Sequence, residues 1–352
     1  MNARWRTAGI YAAVLLVALA AEFGLKGAIA DSSLRQLMMT AAINILIALS
    51  LNIINGMAGQ FSIGHAGFVG VGAYAAAVTM GNLHQLWPGD ITFLRSIVLV
   101  PASVGASALL AAFFGLLVGL PSLRLRGDYL AIVTLGFSEI FRLLIATASA
   151  GDAGLLGRLG GQNGYSGPTD QGIPQYSGPF WVFGAVGVAL IVCHRLKFSG
   201  WGRALRALRE DEIAAAAVGV DPTRYKVTSF VLAATGAGIA GGLLATMHDG
   251  APITQPDQFN FQASFDAITM VILGGSGSVS GATLGALFVT FSIKVFEYLQ
   301  STPAMQDFRS ANAWLDLNAL RMVIYAATLI AVMILRPEGV LGEREIWEKK
   351  RR

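Results

Sequence analysis

Charged residues are scarce in this chain of 352 residues: Asp, Glu, Lys and Arg together make up only 13%, against roughly 25% in ordinary soluble domains. A soluble protein of this size could not cover its surface with so few charges. Hydrophobic residues make up 54%, and they come in blocks, several close to the roughly 20 residues that cross a bilayer as a helix. A β-barrel would instead show alternating segments of about ten residues. The composition therefore excludes a disordered chain, a fibre and a soluble enzyme, and it predicts an all-α, polytopic integral membrane protein.

Motifs of catalysis are also missing. The sequence has no Gly-x-x-x-x-Gly-Lys-Ser/Thr phosphate loop, no His or Cys pairs at metal-ligand spacing and no serine nucleophile elbow. The single Cys193 cannot form an internal disulfide, and its apolar neighbours favour a buried, inert residue. The formal charge of +4 gives no sign of a nucleic-acid partner, because the basic residues stand between apolar blocks. We therefore expect no catalytic residue and no metal or cofactor bound by this chain, so any energy source must be on another chain.

The apolar blocks predict about nine or ten transmembrane segments, one of them a half-helix. They are residues 9–25, 37–54, 61–80, 97–120, 129–147, 180–193, 229–247, the short 265–273, 279–299 and 320–335. The first block precedes Ala-Ile-Ala at 28–30, which has the form of a signal-peptide cleavage site, although a retained first helix is the preferred interpretation. This divides the chain into an N-terminal helix with its outer loop (1–36), a transmembrane domain (37–342) and a basic tail (343–352).

The distribution of lysine and arginine predicts the orientation. With the N-terminus inside, 17 of these residues fall on the inner side and 6 on the outer side. Cytoplasmic loops carry the excess of basic residues. We therefore expect both termini and the 194–228 loop in the cytoplasm.

Within that loop, a basic and alanine-rich stretch predicts a helix over residues 203–219. Alanine and leucine favour helix, Gly219 suits a C-terminal cap and Pro222 bars continuation. Arg206 and Glu210 lie four residues apart and are expected to pair, and Leu205, Leu208 and Ile213 would form an apolar stripe. Such a helix either docks into a groove on a partner protein or lies solvated on the membrane surface.

Two glycine-rich stretches, residues 55–72 and 274–281, interrupt the apolar blocks. Interrupted helices present free backbone groups to a substrate near the membrane interior. The alternative is close helix packing on small residues. We predict that the two breaks line one cavity near the membrane centre. The predicted pathway residues are Gly59, Gln60, Ser62, Gly64, His65, Gly67, Gly274, Gly275, Ser276 and Ser278.

Glu139 and Arg142 stand three residues apart inside a predicted span. Charges are costly within a membrane, so a pair or a pathway role is expected there. A structural intramembrane ion pair is the favoured interpretation, and a role in the pathway is the alternative.

Five motifs in order make the chain resemble the LivM-type permease of branched-chain amino acid ABC importers. They are GQFSIGHAG (59–67), RGDYLAIVTLG (126–136), ALREDEIA (207–214), VILGGSGS (271–278) and RPEG (336–339), and the resemblance covers about residues 35–342. It implies the ABC importer permease fold in a bacterial inner membrane. It also implies a heterodimer with a LivH-type permease subunit, two cytoplasmic ATPase subunits that bind ATP and magnesium, and a periplasmic substrate-binding protein.

The resemblance also implies a function, the import of leucine, isoleucine and valine. Relatives that take urea, short amides or other amino acids are the alternative within the family, and a secondary transporter is the alternative outside it. The 203–219 helix would be the coupling helix that contacts the ATPase, through Arg203, Arg206, Glu210, Asp211, Glu212, Ala214 and Gly219. The superfamily pattern has Glu-Ala-Ala with a glycine three residues further on, and here Ile213 stands where that glutamate is expected. The docking role therefore rests on the loop rather than on one carboxylate.

Overall fold

The computed structural model of the chain describes residues 13–22, 24, 31–122, 129–148, 157–168, 171–302 and 339–346, with isolated positions at 323, 327, 330, 331 and 334. The helices, in chain order, are α1 (Ala13–Glu22), α2 (Ser32–Asn52), α3 (His65–Leu86), α4 (Phe93–Ser122), α5 (Tyr129–Thr147), α6 (Pro179–Phe198), α7 (Gly200–Glu210), α8 (Glu212–Ala217), α9 (Pro222–Ala245), α10 (Phe261–Gly274) and α11 (Val279–Ser301). A π-helical turn (Ile53–Met57) continues α2, and short 3₁₀ turns stand at Gly157–Leu159, Gly161–Asn163 and Pro256–Phe259.

Seven of the described helices, α2 with its π-turn, α3, α4, α5, α6, α9 and α11, are long and apolar enough to cross a membrane. This confirms the prediction of a polytopic all-α membrane protein. The predicted span at 129–147 coincides with α5, whereas the span predicted from residue 61 begins at His65. The last predicted span, 320–335, falls largely outside the described residues, as do residues 28–30 of the possible cleavage site.

Polar side chains set where several helices begin. Asp31 and Asn260 accept hydrogen bonds from backbone N–H groups in the first turns of α2 and α10, and Ser278 does the same for α11. Such caps satisfy N–H groups that have no partner within the helix. Pro222 begins α9 just after its cap Asp221, where its missing N–H costs nothing.

Small residues hold α3, α4 and α9 together in the interior of the bundle. A Cβ on Gly241 of α9 would overlap the carbonyl oxygen of Val69 on α3, and one on Gly72 would overlap the backbone of Gly238. The Ser107 hydroxyl of α4 donates to the Gly72 carbonyl over 2.8 Å. Close approach of this kind suits membrane helices, where lipid tails are as apolar as leucine and association depends on packing and interhelical hydrogen bonds.

The helix α10 is a half-helix, as its sequence predicts. Its 14 residues span about 21 Å, less than the roughly 30 Å hydrocarbon core. It begins inside the bundle, where the Ser264 hydroxyl accepts from the backbone N–H of Ala66 at the start of α3. The preceding chain enters the bundle as an irregular segment, tied to α3 by the Tyr74 hydroxyl, which donates to the Thr254 carbonyl.

The two ends of the bundle differ in construction. At one end, Tyr165 and Ser177 form isolated β-bridges with Thr254 and Met247, so the chain before α6 lies against the chain between α9 and α10. The other end carries α7 and α8, and we refer to it as the α7 end. The helix α1 packs on α6, and the Glu22 carboxylate accepts from the backbone N–H of Phe180 over 2.9 Å.

The close approach of α9 to α3 generates a stability prediction. Gly241→Ala should lower the free energy of unfolding by about 1–3 kcal/mol, because the added methyl group forces the two backbones apart. Gly105→Ala on α4 is the matched control, since a Cβ there meets no atom within 4 Å. That control should be neutral or slightly stabilising. Thermal unfolding of both purified variants in detergent measures the difference, and equal melting temperatures would contradict this packing.

Candidate functional site

The predicted helix over 203–219 is two helices, so the expectation of one continuous helix is wrong. Asp211 takes an extended backbone conformation that ends α7, and its carboxylate accepts from the N–H groups of Ile213 and Ala214 to begin α8. A short acidic side chain competes for backbone donors in this way, which is why aspartate favours caps over helix interiors. The predicted cap is confirmed: Gly219, with φ +90°, follows the end of α8.

The break at Asp211 turns the two helices in different directions. Leu205 and Leu208 of α7 are buried against the bundle, as the predicted stripe requires. Ile213, the third member of that stripe, is 84% exposed, and Val218 beyond α8 is 80% exposed. The result is an anchored α7 and an α8 that presents apolar side chains to the surroundings.

Several charged residues of α7 and α8 bond to the helices on either side, α6 and α9. Predicted pairing of Arg206 with Glu210 is wrong: Glu210 pairs with Arg209 at 3.3 Å, while Arg206 donates to the Lys197 carbonyl at 3.4 Å. Both residues lie in α7 at the expected spacing, but the Arg206 guanidinium is turned towards the end of α6 instead. Two further residues of the predicted set also bond within the region: Arg203 donates to the Phe198 carbonyl and Glu212 pairs with Lys226.

The two glycine-rich breaks come together in the structure. Asn52, at the end of α2, accepts from the Gly277 N–H over 2.8 Å and donates to the Ser278 carbonyl over 3.0 Å. A Cβ on Gly56 would overlap the backbone of Gly277. Arg209 of α7 donates to the Gly56 carbonyl over 2.8 Å. The breaks thus contact each other and α7 at the same place.

This meeting point lies at the α7 end, so the expected cavity near the membrane centre is not found there. The helix α2 with its π-turn covers 26 residues, or about 39 Å, and crosses a bilayer before the first break begins. The cavity beside Gly56 and Gly277 measures about 10 Å³, which is at most the volume one water needs. Gly59 lies against the Arg209 side chain, and a Cβ on Gly275 would meet the backbone of Gly342. Gly274 is likewise buried, and Ser276 is half-buried.

The stretch 55–72 contains both of the structures predicted for its glycines, an interruption of the helix and close helix packing. Residues 58–64 form a non-helical connection, and Asn55 holds its turn by accepting from the Ser62 N–H over 3.1 Å. From His65 onwards the chain is continuous helix. There Gly67 permits close contact with Ser138 of α5, and Gly64, just before the helix, contacts the backbone of Thr134. The glycines after residue 65 are therefore packing positions.

Buried polar atoms without partners concentrate beside this connection. Within the described residues, four side-chain atoms are buried with no hydrogen-bond partner: Gln60 Oε1, Ser62 Oγ, His65 Nδ1 and Ser138 Oγ. Buried polar groups are normally paired, so these atoms are candidates for contact with water or a solute. Three belong to residues predicted from the sequence. Ser138 was missed, and the available signal was its spacing of four from Thr134, which places both on one face of α5.

Glu139 and Arg142 pair within α5, as their spacing predicts, and the position of this pair inside the membrane stays a prediction. Arg142 Nε lies 2.8 Å from Glu139 Oε2, and Arg142 also contacts Asp257, in the turn before α10, at 3.1 Å. Asp257 was missed because only the tertiary fold brings it to α5. These side chains are partly exposed on the isolated chain, and ionised groups in a span rarely face lipid. This face of α5 therefore borders protein or water in the assembled molecule, and a role in the pathway stays a prediction.

The C-terminal residues also join the α7 end, which the prediction of a simple basic tail did not anticipate. Glu345 is buried and lies 2.5 Å from Lys197 Nζ. Burial raises the pKa of its carboxyl, but hydrogen bonds from Lys197, the Ser280 hydroxyl and the N–H groups of Ser280 and Val279 outweigh burial and lower that pKa below its ordinary value. The group is therefore ionised at neutral pH. Residues 343–346 thus pack on the bundle rather than beginning a separate tail at 343.

Seven described helices long and apolar enough to cross a membrane, with an internal half-helix between them, are the architecture of a polytopic membrane protein. Residues 33–333 match the family described as "Branched-chain amino acid transport system / permease component". The chain is 33% identical to the high-affinity branched-chain amino acid transport system permease protein LivM of Salmonella typhimurium LT2 and to that of Escherichia coli K12. Each match runs over 324 residues and covers 85% of this chain and 68% of the relative.

LivH of E. coli K12, a permease protein of the same transport system, is 24% identical over 312 residues, which cover 86% of this chain and 92% of the relative. No solved structure matches the chain. The chain belongs to the branched-chain amino acid transport permease family, and it is a transport subunit rather than an enzyme.

The unpaired polar atoms predict where water reaches the interior during transport. In a Cys193→Ser background, Ser62→Cys and Ser138→Cys should react with a small water-soluble thiol reagent in native membranes, because neutral polar groups line a path that opens. Ser107→Cys is the matched control, since Ser107 is equally buried but hydrogen-bonded to Gly72 and Ser103. It should stay unreactive. Equal inertness of all three cysteines in the working transporter would contradict the assignment.

Proposed function

We propose that this chain is a permease subunit of an ATP-driven importer that carries branched-chain amino acids, or a related small solute, across a bacterial inner membrane. The observation that carries the proposal is the match over residues 33–333, together with relatives named for branched-chain amino acid transport at 33% identity. Permeases for urea or short amides are the alternative substrate class. A secondary transporter, driven by an ion gradient, is the less favoured alternative.

The orientation follows from charge. The α7 end carries the basic 194–228 loop, and basic residues near the ends of spans favour the cytoplasm. We therefore place α7, α8 and both termini in the cytoplasm. The end with the β-bridge between Tyr165 and Thr254 then faces the periplasm, where a substrate-binding protein would deliver the solute.

The helix α8 is the surface that we assign to an ATPase partner. The exposed Ile213 of α8 and Val218 just after it would form the apolar centre that interfaces commonly bury. The buried leucines of α7 anchor the pair of helices to the bundle, so a push on α8 is passed to the permease. The assembly would contain two ATPases that bind ATP and Mg²⁺, a LivH-type permease partner and the binding protein. This chain itself would bind no cofactor.

The unpaired polar atoms of Gln60, Ser62, His65 and Ser138 support a pathway between the 58–64 connection, α3 and α5. An amino acid passing through needs transient polar partners, and tight ones would trap it. Hydroxyl, amide and neutral imidazole groups meet this requirement better than fixed charges. The paired breaks, including Gly274 to Ser278, lie closer to the cytoplasmic side, where they would act as the inner gate of the same pathway.

Uptake into proteoliposomes tests the function. The chain, co-expressed with the permease, ATPase and binding-protein subunits of its gene neighbourhood, should accumulate radiolabelled leucine when ATP is present in the compartment facing the ATPases. ADP in place of ATP should abolish uptake. Accumulation of urea or acetamide instead of leucine would select the alternative substrate class. Leucine uptake driven by an ion gradient without ATP would contradict an ATP-driven importer.

The exposed face of α8 generates a second prediction. Ile213→Asp with Val218→Asp should weaken ATPase binding, because removal of a central interface residue costs about 2 kcal/mol or more, a factor of about 30 in affinity. Co-purification of the ATPase with the tagged permease measures this. Leu86→Asp, an equally exposed leucine at the opposite end of the bundle, is the control and should retain the ATPase. Normal ATPase recovery with the double variant would exclude α8 as the contact.

A further inference from the structure

The C-terminal segment, residues 339–346, closes the gap between α10 and α11. Its backbone N–H groups at Val340 and Leu341 donate to the carbonyls of Leu273 and Gly274 at 3.0 and 3.2 Å, in the last turn of α10. Those carbonyls have no partner within their own helix. Residues that follow the last predicted span thus supply hydrogen bonds that the break between α10 and α11 requires.

The same segment holds the start of α11 through one buried carboxylate. Glu345 accepts from the N–H groups of Val279 and Ser280, each at 2.9 Å, and from the Ser280 hydroxyl at 2.6 Å. The first turn of a helix carries partial positive charge, which favours an anion there. Lys197, in the last turn of α6, supplies the full countercharge at 2.5 Å, and both side chains are nearly inaccessible.

A second acidic side chain joins the segment to α7. Glu343 pairs with Arg209, and the same guanidinium donates to the Gly56 carbonyl at the first break. The Glu343 carbonyl also accepts from Lys197 Nζ at 2.6 Å. The backbone of the segment therefore contacts α10, and its two carboxylates contact α6, α7 and α11. The buried Lys197–Glu345 pair holds one geometry, because separating the partners leaves a charge without compensation.

We infer that residues 339–346 transmit movements of α7 to the paired helix breaks, with Glu345 as a positioning residue of the transport cycle. The inference rests on the proposed function, because the movement of α7 comes from the ATPase. When α7 shifts, Arg209 and Lys197 carry the segment with them, and Glu345 moves the start of α11 relative to Asn52 and the first break. The segment thus couples ATP hydrolysis to the inner gate, while α8 alone binds the ATPase.

The test uses the complete transporter and compares three variants. Glu345→Gln removes the charge while keeping the side-chain size. Glu343→Gln removes the half-exposed carboxylate that faces Arg209 and carries less risk to folding. Ile346→Ala is the matched control, because the Ile346 side chain is exposed and only its backbone N–H contacts α11. Each variant is first checked for assembly with the ATPase by co-purification.

The readout is the amount of leucine taken up per ATP hydrolysed. Glu345→Gln and Glu343→Gln should assemble and hydrolyse ATP, but their uptake per ATP should fall severalfold, whereas Ile346→Ala should match the wild type. Unchanged uptake per ATP in either assembled glutamine variant would overturn the inference. So would failure of Glu345→Gln to assemble combined with normal coupling in Glu343→Gln, since that result shows a purely structural role.

A second readout needs no transported substrate and so separates this inference from the proposed function. In a Cys193→Ser background, spin labels on cysteines at Leu109 of α4 and Val295 of α11, both exposed, report movement of α11 relative to the rest of the bundle with and without bound ATP. The ATP-dependent change in the distance between the labels should be present in the wild type and lost in Glu343→Gln. A change of equal size in both proteins would overturn the inference, whatever solute the transporter carries.

Discussion

Backbone groups buried away from water must find their hydrogen-bond partners within the protein, and this constraint governs where the chain can leave its helices. Both breaks in this permease satisfy it with side chains from elsewhere. Asn52 bonds the backbone at Gly277 and Ser278, and Arg209 bonds the carbonyl of Gly56. The backbone hydrogen bonds of each break are thus completed by the other break, by α2 or by α7. We therefore expect the two breaks to move together.

The same requirement explains how charge and neutral polarity are distributed. Ion pairs that involve Lys197, Arg209 and the two C-terminal glutamates gather at the α7 end. Deeper in the bundle, near the start of α3, the polar groups are a serine, an amide and an imidazole. Charged pairs hold one geometry, because a partner that moves away leaves a charge without compensation. Neutral polar groups can exchange hydrogen-bond partners at lower cost. This is the distribution that the proposed inner gate and a weakly binding pathway would require.

Glycine serves two separate purposes along one stretch of this chain. In residues 58–64 the backbone leaves the helical conformation, and Gly59 takes a φ of +66° there. From His65 onwards the glycines stand in regular helix and permit contact with α5 and α9. Composition alone cannot separate these uses, since the same absence of a side chain allows both. The decision depends on what approaches the backbone from other helices.

The sequence by itself determined the number of long apolar blocks, the half-helix before the second break, the cap at Gly219 and the pairing of Glu139 with Arg142. Each is a local property that depends on hydrophobic length, on backbone preference or on spacing within one helix. The tertiary structure alone decided that the two breaks would meet at the α7 end. It also decided that Glu345 would be buried. The physical reason is separation along the chain: Asn52 and Ser278 are 226 residues apart and Lys197 and Glu345 are 148 residues apart, and only the packed bundle brings such partners within hydrogen-bond distance.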